Sequence, residues 1–184
     1  MIINPKKIIG EGVVKNFDEK EALQPNSIDL RIKSVREIRN GGSLRLLGKD
    51  IKSQSLEYSY EDIWEFERGK AYDVEFEEFV EVPESMMAFV THRSSLNRIG
   101  AHITSGIYDS GFKNYIGAIM RCDADITIQK GTRIATIYFM KAESDHKYNG
   151  QYQGNLEEIN DEQEPENYSE FDKFDEEKDE ILNK

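Results

Sequence analysis

Short runs of β-branched and aromatic residues, each bounded by Gly, Pro or polar turns, recur along this chain, and that punctuation most constrains its fold. From Ser27 to Lys33, Ile28, Leu30 and Ile32 alternate with Asp29, Arg31 and Lys33, the period of two of a half-buried strand. Further strand signals run from Ala71 to Phe76, Glu78 to Val82, Met87 to Val90, Tyr115 to Arg121 and Arg133 to Met140. Pro83-Glu84-Ser85 reads as a turn, Gly41-Gly42 as another, and Gly100 and Gly106 break the segment between them. Many short strands at ~8–12-residue spacing predict an all-β sandwich or barrel. Residues 1–9 read as a short helix or strand packed on the body. From Gly42 to about residue 68 no period is clean, and Trp64 reads as a packing residue.

Charge divides the chain in two. Of its net −12, residues 156–184 carry 13 Asp and Glu against 3 Lys, leaving the rest nearly balanced. The body therefore lacks the basic excess that tracks a nucleic-acid backbone, and duplex nucleic acid is not an expected partner. The acidic stretch 156–184 is predicted to be a solvated, disordered tail, with Phe171, Phe174 and Ile181 near helical spacing as a candidate contact for a protein partner. Residues 1–155 are expected to form one β domain, with 147–155 a mobile closing segment. No apolar run approaches the ~20 residues of a membrane span, and the N-terminus lacks the order of a signal peptide. A soluble, cytoplasmic protein is expected. The single cysteine, Cys122, reads as a strand residue rather than a nucleophile, and His92, His102 and His146 lack zinc-site spacing.

Two segments carry chemistry. Arg93-Ser94-Ser95-Leu96 offers a guanidinium and two hydroxyls in succession, a set suited to phosphate oxygens. Thr104-Ser105-Gly106-Ile107-Tyr108-Asp109-Ser110-Gly111-Phe112-Lys113 places one carboxylate between a glycine turn and an aromatic. A carboxylate beside a phosphate cradle can polarise a water or help hold a bridging cation. Read one residue at a time, the Arg is a surface ion pair and Asp109 a hairpin residue.

Order and spacing favour the chemical reading. Arg93-Ser94-Ser95-Leu96-Asn97-Arg98 resembles the phosphate-binding motif of the trimeric dUTPase and dCTP deaminase superfamily. Gly106-Ile107-Tyr108-Asp109 with Phe112-Lys113 resembles its catalytic hairpin. Pro25-Asn26-Ser27-Ile28-Asp29-Leu30-Arg31 and Lys130-Gly131-Thr132-Arg133-Ile134-Ala135 are similar to its early and late motifs. The resemblance implies a distorted jelly-roll β-barrel of the dUTPase-like type with short peripheral helices, assembled as a homotrimer with active sites between subunits. It implies a pyrimidine deoxynucleoside triphosphate as ligand and Mg²⁺ as cofactor.

Transferred residue by residue, the resemblance makes Asp109 the group that orients water for attack on the α-phosphorus. Arg93 and Ser94 would meet phosphate, Ser95 would support that loop, and Arg98 matches a deaminase arginine. Ser105 and Gly106 would flank the base and Phe112 would pack on deoxyribose. Lys147, Tyr148 and Gln151, similar to the tail of the deaminase-like branch, would close over the ligand. Asp29 would lie near the metal, through a water.

The expected reaction is that of a dUTP diphosphatase, giving dUMP and pyrophosphate. The deaminases place a proton-shuttling Glu ten residues beyond the hairpin Asp, where this chain has Ile119, and an aliphatic side chain moves no proton. Thr136 and Asn114 stand where the dUTPase pattern has Gln and Gly. dCTP deamination, hydrolysis of another pyrimidine triphosphate and a non-catalytic nucleotide-binding regulator are the alternatives.

Overall fold

The computed structural model describes residues 1–9, 13–39, 42–45, 48–51, 59–150 and 152–154. The predicted tail 156–184 and Gln151 lie outside them. Met1–Gly154 form one compact unit.

The all-β expectation holds. Among the described residues three short helices, α1 (Pro5–Ile9), α2 (Glu19–Ala22) and α3 (Ser94–Arg98), flank twelve strands. These are β1 (Val14–Lys15), β2 (Ile28–Glu37), β3 (Gly42–Arg45), β4 (Gly48–Ile51), β5 (Ile63–Phe66) and β6 (Ala71–Glu81). Then follow β7 (Met86–His92), β8 (Ala101–Thr104), β9 (Ile107–Tyr108), β10 (Lys113–Cys122), β11 (Ile126–Gln129) and β12 (Arg133–Lys141). Local chemistry sets the helices. Pro5 opens α1, where its missing N–H costs nothing. Asp18 caps α2 by accepting from the Lys20 N–H at 2.9 Å.

One antiparallel sheet has the order β8-β10-β6-β2-β12-β7-β9, with β1 added to β6; β5–β11 and β3–β4 form two small sheets. β8 and β9 sit at opposite ends of that path, yet only Ser105 and Gly106 separate them in the chain. Two residues span at most ~10 Å, so the sheet curls until its edges approach. The Ser105 hydroxyl bridges them by donating to the Val90 carbonyl of β7 at 3.2 Å. Register shifts at Ile32/Ser34, Tyr115/Gly117 and Arg133/Ala135 supply the local bends that a curled sheet needs.

Inside lie Ile28, Leu30, Ile32, Val74, Phe76, Ile116, Met120, Ile137 and Phe139, all essentially solvent-free. Trp64 is buried, with its indole N–H on the Ser59 hydroxyl at 2.7 Å. Cys122 ends β10 in the core, where burial pushes its thiol up to about 11. The two strand signals from Ala71 to Val82 are one strand, β6, whose ladder with β10 shifts register between Glu75 and Phe79 and continues on both sides of the shift. Among the described residues no helix is long and apolar enough to cross a membrane.

Among the described residues three carboxylates are buried with the apolar core. Glu78 accepts from the Arg31 backbone N–H at 2.9 Å and from its Nε at 2.8 Å. Arg31 in turn donates to the Asn16 carbonyl, tying β1 to the sheet. Asp29 belongs to the cluster described below. Glu75 has less support: the Ser34 hydroxyl at 2.5 Å is its hydrogen-bond partner, and burial raises its pKa above the ordinary value. A carboxyl whose folded pKa is raised gives full stability below the unfolded pKa, and stability falls as pH rises through the folded pKa. Glu75→Gln removes the buried charge and keeps the polar contact to Ser34. It should raise Tm at pH 7 and above, with the gain vanishing below about pH 4, where both states of the wild type are protonated; thermal melts across pH 3.5–8 check this.

Candidate active site

The phosphate-type motif begins where β7 ends. Arg93 precedes α3 in extended backbone, its N–H donating to the Ile134 carbonyl at 2.9 Å and its Nη1 to the Arg133 carbonyl at 3.3 Å. Its Nε meets the Asp29 carboxylate at 3.0 Å. Asp29 is 2% exposed and also accepts from the Gln24 amide at 3.1 Å. Thr136, its register partner on β12, hydrogen-bonds the carboxylate and lies 3.2 Å from the Ile28 carbonyl. Burial raises the Asp29 pKa above its ordinary value, against the opposing pull of Arg93 and Arg133. Leu96 buries one side of α3, leaving Ser94, Ser95 and Arg98 exposed.

The second segment forms a tight turn. The Phe112 N–H donates to the Asp109 carbonyl at 3.0 Å, and Gly111 adopts φ +83°. That left-handed backbone suits glycine, and a Cβ there would come within 3.0 Å of the Lys147 Cβ. Ser110 anchors the turn through its hydroxyl on the Met86 carbonyl at 2.7 Å. Asp109 is exposed and lines a cleft of about 360 Å³ with Met87, Ser110, His146, Lys147 and Tyr148. Phe112 is buried, with Tyr108 and Tyr148 set edgewise against it at 5.1 and 5.5 Å. A Cβ at Gly106 would meet open space.

The closing segment is folded onto this turn. The Tyr148 N–H donates to the Ser110 carbonyl at 2.8 Å, and Lys147 pairs with Glu84 at 2.6 Å. Gln153, which the sequence reading passed over, donates to the Gly111 carbonyl at 2.9 Å and accepts from the Lys113 N–H at 3.2 Å. The Asn114 amide reaches the Tyr152 carbonyl at 3.1 Å, and the Gly154 N–H reaches the Lys113 carbonyl at 2.7 Å. A side chain at Gly154 would collide with Asn114 at 2.8 Å.

The expected site residues thus fall into two groups. Asp29, Arg93, Ser94, Ser95 and Arg98 gather at the C-terminal end of β7. Asp109, Phe112, Lys147 and Tyr148 gather towards its N-terminal end, where Tyr108 lies opposite Ala88, while Gly106 stays beside Ser105. Ser105 sits between, at Val90. Met87, beside Asp109, is six residues from Arg93, which at ~3.3 Å per strand residue separates the two ends by about 20 Å. Among the described residues no group of three or more His, Cys, Asp or Glu is placed to hold a metal.

Residues 5–142 match the model of a family described as dCTP deaminase-like. The chain belongs to that family. Its relatives include a deoxyuridine 5'-triphosphate nucleotidohydrolase of Methanocaldococcus jannaschii, 31% identical over 159 residues that cover 80% of this chain and 99% of that one. A dCTP deaminase of Acidianus ambivalens is 28% identical over 166 residues, covering 80% and 92%. The solved 2'-deoxycytidine 5'-triphosphate deaminase of Agrobacterium tumefaciens shares the fold at a TM-score of 0.61 and 19% identity. That match covers 77% of this chain and spans about half, 48%, of the other. Membership of the dCTP deaminase-like family makes this a member of a nucleotide-metabolising enzyme family, whose relatives here include both dUTPases and a dCTP deaminase.

Within that family pattern, the two departures noted above both have partners. Thr136 hydrogen-bonds Asp29, and Asn114 holds the backbone of the closing segment. No local sequence signal announces the Gln153 contacts, because they join positions forty residues apart. Gln153→Ala should speed hydrogen exchange at the Lys113 and Gly154 amides by roughly tenfold, with core strands such as β6 unchanged; exchange followed by mass spectrometry measures it.

Proposed function

We propose that this chain hydrolyses dUTP to dUMP and pyrophosphate, at sites completed between copies of itself. The separation of the Arg93 cluster from Asp109 along β7 is the observation that carries this reading. A triphosphate nucleotide cannot place its α-phosphorus at Asp109 and be gripped by Arg93 of the same chain across ~20 Å of strand. Each chain contributes a phosphate end and a water end, and a neighbouring copy supplies the complement. The outer face between them suits such a neighbour. Phe89 stacks on Tyr138 at 5.6 Å, and Ile107, 55% exposed, lies opposite Phe89. Met87 faces Met140 in the same ladder. A second copy on this apolar stripe would bring its own Asp109 or Arg93 to the other end, and a closed trimer satisfies every site.

In the assembled site, Arg93 would hold phosphate oxygens, with Ser94, Ser95 and Arg98 beside it on α3. Its bond to Asp29 fixes the guanidinium before substrate arrives, so little ordering is left for binding. Asp109, exposed and acceptor-only when ionised, would orient the attacking water and take its proton. Ser105 and Gly106 would flank the pyrimidine, Phe112 would back the sugar from beneath Tyr148, and Lys147, Tyr148 and Gln151 would close the site. Mg²⁺ fits this donor set as a companion of the triphosphate. Asp29 is engaged by Arg93, Gln24 and Thr136, so phosphate oxygens would hold the ion, with Asp29 reaching it through water. When bound, Mg²⁺ offsets charge on the pyrophosphate leaving group.

Ile119 favours hydrolysis over deamination. It lies on β10 between Thr104 of β8 and Asp73 of β6, and it offers no proton to a cytosine ring. The Asp73 carboxylate lies directly across the ladder from Ile119, where Arg36 pairs with it at 2.7 Å.

Purified protein with Mg²⁺ should release pyrophosphate from dUTP and no ammonia from dCTP; ammonia from dCTP would overturn the role given to Ile119. Asp109→Asn and Arg93→Ala should each lose roughly 100-fold or more in turnover. Co-expressed, the two variants should recover up to about a quarter of wild-type activity, since random mixing in a closed ring leaves some sites with both groups intact. Mixed assemblies no more active than either variant alone would exclude the shared site.

A further inference from the structure

A short arm, residues 18–24, carries the chain through α2 to β2 and touches the phosphate end at two points. Its own backbone holds it in place. The Ala22 N–H donates to the Asp18 carbonyl at 2.8 Å, the Gln24 N–H donates to the Ser27 carbonyl at 2.9 Å, and Leu23 bridges to Ile28 of β2. The Glu21 carbonyl accepts from Arg133 Nη1, and the Glu21 carboxylate lies 3.7 Å from Arg133 Nη2. The Gln24 amide donates to Asp29 Oδ2 at 3.1 Å, and that same oxygen receives Arg93 Nε at 3.0 Å. Gln24 stands one residue before the early motif that begins at Pro25.

We propose that Gln24 is a positioning residue for phosphate binding: its amide locks the Asp29 carboxylate, Asp29 holds Arg93, and Arg93 meets the anion. The inference rests on the reading that Arg93 receives phosphate. The two donors on Oδ2 differ in kind. Arg93 brings charge, whereas Gln24 is neutral and fixes the carboxylate without adding a second cation. The β12 side is a weaker anchor. Thr136 stands where the dUTPase pattern has Gln, in register with Asp29, and its hydroxyl has one proton to give. That proton is contested, because the Ile28 carbonyl lies 3.2 Å from the same hydroxyl. The arm therefore supplies the amide that position 136 lacks. Without it, a buried carboxylate is short of a donor and less firmly oriented, which is costly. The guanidinium would then be ordered by the incoming anion rather than before it arrives, and affinity falls.

Binding tests this without relying on turnover. Inorganic triphosphate with Mg²⁺, titrated calorimetrically into the full chain, reports the phosphate end without a base or sugar. Arg93→Ala should weaken it by roughly tenfold or more. Gln24→Met, which keeps the length of the side chain and removes the donor, should weaken it by roughly tenfold. Adding Thr136→Gln to Gln24→Met returns an amide from β12 and should restore affinity to within about threefold of wild type. A mere brace for the fold would show no such recovery, and circular dichroism checks that each variant is folded. Unchanged affinity in Gln24→Met, or a double variant as weak as the single one, would overturn the proposal. An Arg93→Ala protein that binds as the wild type does would sink the phosphate reading itself, and this inference with it. Binding that follows the amide in a protein that releases no pyrophosphate from dUTP would uphold this inference while removing the hydrolase reading.

Discussion

Two residues hold opposite edges of one sheet together, and the rest of the structure depends on that link. β8 and β9 end the strand path on different sides, and Ser105-Gly106 leaves the backbone no length to lie flat between them. The sheet must roll, and the register shifts in β2, β6, β10 and β12 are where it bends. Rolling places α3 and the Asp109 turn at different ends of β7. It also leaves β9 unpaired with β10, the two being joined instead by the Tyr108 hydroxyl on the Gly117 carbonyl. The same connection thus generates the split between the charged groups.

Electrostatics then organises the phosphate end. A carboxylate as buried as Asp29 is costly unless paired, and Arg93, Gln24 and Thr136 supply the partners. Arg93, the residue that the proposed function assigns to phosphate, is among the groups that meet that cost. Arg93 is therefore at once a structural counter-ion and a preset cation at the surface. The closing segment works differently, through backbone and amide contacts at Lys113, Asn114 and Gln153, with the charge of Lys147 held apart by Glu84.

What the sequence made legible was local. The alternation of Ile28, Leu30 and Ile32 marked β2 because period two is written in adjacent residues, and the motif around Arg93 stood out because its residues are consecutive. The family and its all-β fold followed from that order. Less legible was anything set by tertiary pairing. The sequence offers two signals, Ala71–Phe76 and Glu78–Val82, with Glu77 between them, yet both belong to β6, in which Glu78 is wholly buried and held by the side chain and backbone of Arg31. The contacts of Gln153 and the reach of Tyr108 to Gly117 depend on strands meeting that are far apart or unpaired in the chain. Asp29, assigned to the metal neighbourhood by its motif, is found in the grip of Arg93, a pairing that strand register alone creates.

Cys122 has a practical corollary. It is the sole thiol of the chain, sealed at the end of β10 with its pKa pushed up to about 11. Thiolates, not thiols, react with maleimides and disulfides, so the native protein is a silent background for such reagents. A cysteine introduced at an exposed point of the closing segment, such as Asn149, would take a fluorophore alone. Any movement of that segment could then be followed in real time without first removing a native sulfur from the core.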